Sequence, residues 1–137
     1  YSNVDSKFSS IAIDSQGHIL LSSEEFDRGR VIKLRPDGTI IFNKETRYPI
    51  LDLKINSVNQ AIAIGAKNSS YELLKLSVDG KVLFDIPSAG VSLKQLLLSE
   101  DGKIYATSDK SCRILKFDDI TGDLIFDKEY GKTDSEA

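Results

Sequence analysis

Tryptophan and methionine are absent from this chain, and cysteine and histidine occur once each, as Cys112 and His18. A lone cysteine cannot close an internal disulfide, so this is not a disulfide-stapled secreted scaffold. A single histidine with no cysteine cluster falls short of a soft-ligand metal site and lacks the oriented partner that proton transfer needs. No apolar run approaches the ~20 residues of a membrane helix, and no basic-then-apolar leader opens the chain, so the expectation is a soluble protein with no membrane insertion. Positive charge is not in excess: 18 Lys and Arg against 21 Asp and Glu leave a net charge of −3. Nucleic-acid binding depends on concentrated Lys and Arg against phosphates, so nucleic acid is not an expected partner. The missing methionine, at the first position too, points to a processed chain or a piece of a longer one. The compartment stays open, with an extracytoplasmic one favoured.

What is present is an ordinary globular balance, 40% hydrophobic and 28% charged over 137 residues, enough to bury a core. The chain also repeats itself. "SIAIDSQGHILLSS" (10–23), "DLKINSVNQAIAIG" (52–65) and "QLLLSEDGKIYATS" (95–108) align so that Gly17, Asn59 and Gly102 share one column between two apolar runs. Gly and Asn reach φ > 0 most cheaply, so the column marks a tight hairpin turn. A second hairpin follows in each unit: "RVIKLRPDGTIIF", "ELLKLSVDGKVLF" and "RILKFDDITGDLIF", with Gly38, Gly80 and Gly122 closing the turns. The third holds one extra residue, an insertion that a surface turn tolerates.

Two hairpins per unit give four antiparallel strands in about 42 residues, the length of a propeller blade. The expected fold is therefore all-β: one domain over 1–137 with three blades at approximately 8–48, 49–90 and 91–130 and a tail at 131–137. "SLKQLLLSE" (92–100) has good helix formers, but its place in the repeat makes it a strand. Phe42, Phe84 and Phe126 recur as the bulky groups that fill the wedge between neighbouring blades.

The segment 93–125 resembles the NHL-type repeat of six-bladed (TolB-like) β-propellers through Asp101-Gly102, Tyr105, Asp109, Arg113 and Phe117. The first unit matches through Asp14, Gly17, Arg30 and "PDG". The second has Asn59 for glycine and Glu72 where arginine would stand. "FDDITGDLIF" is also similar to the quinone-binding type of blade, but Phe126 stands where that family has tryptophan. The NHL resemblance implies a non-catalytic binding or sensing module. Some relatives are calcium-dependent lactonases or amidating enzymes, whose Glu, Asn, Asp and His sets find no match here. No catalytic, cofactor-binding or metal residue is therefore assigned. The alternatives are a portion of a calcium-dependent lactonase-like or other hydrolase-like enzyme with its catalytic residues outside this segment, and a structural assembly module.

Individual residues receive plain expectations. His18 is a turn-adjacent histidine, and Cys112, beside Arg113, is a structural one. Asp37, Asp79, Asp101, Asp118 and Asp119 lack the alternating carboxylates of a calcium loop and are turn formers. Lys33, Lys75 and Lys116 share a column and are expected as solvated lysines on an outer strand. Arg30 and Arg113 are expected in buried ion pairs between blades, with Asp14 and Asp109 as partners. Asn68-Ser69-Ser70 is a glycosylation sequon in a surface loop. The least repetitive loops, 22–29 and 65–72, are where a protein partner is expected. Three blades make an open arc with apolar faces at both ends. The arc is completed either by further blades of a longer chain, which the missing methionine favours, or by a second copy in a six-bladed homodimeric ring.

Overall fold

The structure, a computed structural model, describes residues 6–88, 91–108 and 112–130. Its strands run β1 (Lys7–Ile13), β2 (Ile19–Glu24), β3 (Gly29–Leu34), β4 (Ile40–Thr46), β5 (Ile50–Ile55), β6 (Ala61–Lys67), β7 (Ser70–Leu76), β8 (Val82–Pro87), β9 (Gln95–Leu98), β10 (Ile104–Thr107), β11 (Arg113–Phe117) and β12 (Leu124–Glu129). Each four consecutive strands pair in sequence order, which makes three separate antiparallel sheets. The segment with helix propensity is strand β9: Leu96 pairs with Ala106 and Leu98 with Ile104, and burial of Leu96 in the core outweighs local preference.

The turns follow from the columns. Gly17, Asn59 and Gly102 have φ of 84, 67 and 86°, and Gly38, Gly80 and Gly122 have φ of 91, 92 and 80°. Short side chains finish the first turns: Asp14 Oδ1 accepts the backbone N–H of Gln16 and of His18, both at 2.9 Å. Asn56 Oδ1 does the same for Val58 and Gln60. The extra residue of the third unit is absorbed locally. Gly38 and Gly80 donate to the carbonyl three residues back, whereas Gly122 donates to Asp118, four back, at 2.9 Å.

Neighbouring sheets are joined by two apolar clusters. Leu20 and Val31 of the first sheet pack with Leu53, Ala61, Ala63, Leu74 and Leu76 of the second. Ile62, Ile64, Leu73 and Phe84 of the second pack with Leu96, Ile104, Ala106, Leu115 and Phe117 of the third. Strands alternate in facing, so one face of the middle sheet meets its predecessor and the other its successor, which explains why the strand alternation is incomplete in the sequence. The register slips by one residue between Lys33 and Leu34, Lys75 and Leu76, and Lys116 and Phe117. This bulge sets Lys33 opposite Phe42, Lys75 opposite Phe84 and Lys116 opposite Phe126, with each lysine and phenylalanine on one face.

That pairing corrects the expectation of solvated lysines. Lys33 is 1% exposed and Lys75 is also buried. Each reaches across the seam to the second hairpin turn of the next sheet: Lys33 Nζ donates to the Val78 carbonyl at 3.0 Å, and Lys75 Nζ donates to the Asp119 carbonyl. The aliphatic stem lies in the apolar wedge while the ammonium finds a carbonyl, joined for Lys33 by the Asp14 carboxylate at 3.6 Å, which is how a lysine can be buried at all. Beside it, each phenylalanine covers the glycine of the same turn. A Cβ on Gly80 would lie 2.8 Å from Phe42 Cγ, and one on Gly122 would lie 2.8 Å from Phe84 Cδ1. The repeated Lys, Phe and Gly are three parts of one seam.

Candidate functional site

In an antiparallel sheet successive connections alternate between the two ends. The β1–β2 and β3–β4 turns and their repeats therefore form one rim. The β2–β3 and β6–β7 hairpins form the other, together with the connector at 47–49. The segments 22–29 and 65–72 both fall on this second rim. They are tighter than expected, because the ladder runs on through Glu24 opposite Gly29 and Lys67 opposite Ser70. Only 25–28 and Asn68-Ser69 remain as turns.

This rim combines an apolar tip with linked charges. Phe26 is 80% exposed. Arg30 Nε donates to Glu25 at 2.9 Å, and its guanidinium lies 3.6 Å from Glu45. Arg28 bonds Asp27 at 3.0 Å and Glu45 at 3.1 Å. Arg47 bonds Asp85 at 3.2 Å and stands 5.8 Å over the Tyr48 ring. The Arg28 side-chain bond to Asp27 holds the Asp27 carboxyl below the usual range. Asn68, in the sequon, occupies an exposed left-handed turn position with φ of 57°. Gly29 is required by close approach: a Cβ there would lie 2.6 Å from the Ser23 carbonyl.

The arginine expectation is corrected here. Arg30 pairs with the buried Glu25 and with Glu45, and Arg113 with Asp127 at 2.9 Å and Glu129 at 3.9 Å; each pair lies within one blade, and both arginines are partly exposed. Asp14 lies at the opposite end of its sheet from Arg30, where it meets His18 Nδ1 at 3.2 Å and Lys33 Nζ at 3.6 Å. Asp109 lies outside the described residues. Cys112 is exposed rather than packed in a core. The turn aspartates bond their own turns: Asp37 accepts from the Thr39 backbone N–H at 3.0 Å, and Asp118 from Ile120 at 2.8 Å. Asp79 and Asp101 instead accept from the Ser77 and Ser99 hydroxyls of their turns. Asp119 instead takes the Lys103 ammonium at 3.1 Å.

One site carries little weight in the sequence. Glu72, which stands where the other units have arginine, is 1% exposed. Its two oxygens and Asp85 Oδ1 are buried with no hydrogen-bond donor. Two carboxylates cannot bond one another, but a carboxylic acid and a carboxylate can, so one shared proton would join a Glu72 oxygen to Asp85 Oδ1. Burial, and then the bond and charge of Asp85, push Glu72 from its ordinary 4.5 up to about 8. The room comes from Gly65, where a Cβ would lie 2.9 Å from Glu72 Oε1. The weak match of Glu72 to the repeat is the only sequence signal.

Two open clefts flank the sheets. One, of about 490 Å³, lies on the outer face of the first sheet along Phe8, Ser23, Arg30, Ile32 and Asn43. The other, of about 1110 Å³, runs along the innermost strands past Ser10, Asp52, Lys54, Lys94, Gln95 and Tyr105. Among the described residues no three His, Cys, Asp or Glu side chains converge as metal ligands, and no helix is long and apolar enough to cross a membrane.

No protein-family model matches the chain, and no curated protein matches it. Solved structures do. The chain is similar to the β-propeller domain of Cps50 (Swd1) from Myceliophteria thermophila, with a TM-score of 0.72 at 14% identity over 93% of this chain and 44% of that one. It is similar to a luciferin-regenerating enzyme with a TM-score of 0.67 at 11% identity, over 91% of this chain and 47% of that one. The C-terminal WD40 domain of Sif2 gives 0.59 at 11% identity over 96% and 49%. The three sheets are blades of the β-propeller fold, and the chain spans about half the length of the structures it matches.

Proposed function

We propose that these blades form a non-catalytic binding module that holds a protein partner on the rim of the β2–β3 and β6–β7 hairpins. The observation that carries this reading is Phe26, an 80% exposed aromatic in the same hairpin as Arg28 and Arg30, which pair with Glu25 and Glu45. An apolar anchor inside a polar rim of arginines is the composition of a protein-binding patch. The hairpins beneath are tied into rigid sheets, so the patch needs little ordering on binding. The WD40 and propeller-domain likeness is consistent with such a platform, although one similar structure is an enzyme.

A phage-displayed random peptide library panned on the immobilised chain tests this. The reading expects enriched peptides whose binding falls at least tenfold with Phe26→Ala or Arg28→Glu and is unchanged by Val58→Ala on the opposite rim. Peptides equally sensitive to Val58→Ala, or calcium-dependent lactone hydrolysis by the chain itself, would replace this reading with another.

A further inference from the structure

The Lys–Phe–Gly seam is built twice inside the chain, and its two halves stand open at the two ends. The third blade carries the donor half: Lys116 lies opposite Phe126 across the same bulge, and Leu97, Ile114 and Phe126 are exposed on that face, Phe126 by 42% against 7% for its seam counterpart Phe84. Lys116 meets no carbonyl among the described residues and rests over the Tyr105 ring at 5.4 Å. The first blade carries the acceptor half. Gly38 has the same left-handed conformation as Gly80 and Gly122, yet a Cβ there would meet nothing within 4 Å. On the outer face of the same blade, Ile11, Ile19, Leu21, Ile32 and Leu34 occupy the columns of the buried set Leu53, Ala61, Ala63, Leu74 and Leu76, but none of them is buried. Asp37 sits in the turn where Asp79 stands in the second blade.

We propose that the outer face of the third blade docks on the first blade of a second copy of this chain. Lys116 then donates to the Pro36 carbonyl beside Asp37, and Phe126 covers Gly38. Two such contacts related by a two-fold axis close a ring of six blades, within the usual propeller range. The contact extends an interface whose complementarity the molecule already shows twice, and its charge matches, lysine against an aspartate turn. Four strands at ~4.8 Å spacing and about 18 Å of length give roughly 350 Å² per sheet face. Four faces then bury on the order of 1,400 Å², the size of a stable interface. The contact does not depend on Phe26 or Arg28, whereas Arg30 of the rim lies on the docking face beside Ile32.

Sedimentation equilibrium and native mass spectrometry of the chain, from low micromolar to several hundred micromolar, test the proposal. The expected species is a closed dimer of twice the 15.2 kDa chain mass. Phe126→Asp weakens it at least tenfold. So does Gly38→Asn, which keeps the turn, since Asn59 already adopts φ of 67° in a neighbouring turn. An isotope-labelled Phe126→Asp chain mixed with a Gly38→Asn chain regains one intact seam, so heterodimer exceeds either homodimer. A monomer at every concentration overturns the second copy and leaves the ends to blades of another origin. An open ladder of oligomers overturns ring closure, and a dimer indifferent to both substitutions overturns the seam.

Discussion

Glu72→Gln isolates the buried carboxyl pair. In the native protein Glu72 titrates near 8 instead of its ordinary 4.5, chiefly because burial disfavours its charge and then because Asp85 lies beside it. A raised carboxyl binds its proton more tightly folded than unfolded, so the native state holds more protons throughout that window. Stability from this group is fully present below about 4.5, falls as pH rises, and levels off above about 8, where both states are ionised. A tenfold change in proton affinity is worth about 1.4 kcal/mol, so the ceiling is roughly 5 kcal/mol. Sharing of the proton with Asp85 and local relaxation bring the expected loss to about 2–3 kcal/mol. Glutamine keeps the shape, and its amide N–H can donate to Asp85 at every pH. Urea unfolding at a series of pH values between about 5 and 9 reads the difference. The wild type should lose stability steadily across the series while Glu72→Gln loses much less, so that the two are close near pH 5 and the variant is the more stable near pH 9. Parallel profiles, with the same gap at both ends, would refute the shared proton.

Other substitutions probe the seams and the rim. Lys33→Ala strips the Val78 carbonyl and the buried Asp14 of a partner and should cost about 2–4 kcal/mol in chemical unfolding. Lys116→Ala at the open end, measured at concentrations where the chain is monomeric, should cost under about 0.5 kcal/mol. Gly38→Ala and Gly80→Ala both strain a positive φ, at about 1 kcal/mol. Gly80→Ala also drives a methyl into Phe42 and should lose at least about 2 kcal/mol more in the same assay. Phe26→Ser, whose side chain is mostly in water, should change the unfolding free energy by no more than about 0.5 kcal/mol, as expected of a surface substitution.

The architecture is legible in the sequence because the repeat is local. Turn glycines report a backbone conformation directly, so the columns of Gly17, Gly38 and their equivalents mark both hairpins of each blade. Phe42 and Phe84 are legible as wedges for the same reason. The lysines mislead because Lys33 and Lys75 read as polar residues on a strand. Nothing local shows that a bulge puts them beside the phenylalanine, or that a carbonyl of the next blade waits for the ammonium. Arg30 and Asp14 are 16 positions apart, and only the strand directions show that they lie at opposite ends of one sheet. Glu72 is visible only as a mismatch, since burial of a carboxyl depends on Gly65 opposite it and on Asp85 in the adjoining strand β8. The β2–β3 and β6–β7 hairpins are legible as two loops. Phe26 is not, because an exposed aromatic and a buried one look alike in a sequence.

The seam itself is the claim on which the blade assignment, the lysine staples and the open ends all stand. Proton NMR of the monomeric chain reads it directly, because an aromatic ring stacked on a glycine shifts that glycine's Hα resonance strongly upfield. The Hα signals of Gly80 and Gly122 are expected upfield, restored by Phe42→Leu and Phe84→Leu respectively, and that of Gly38 at an ordinary turn value. Three glycines with the same unshifted resonance would contradict the seam.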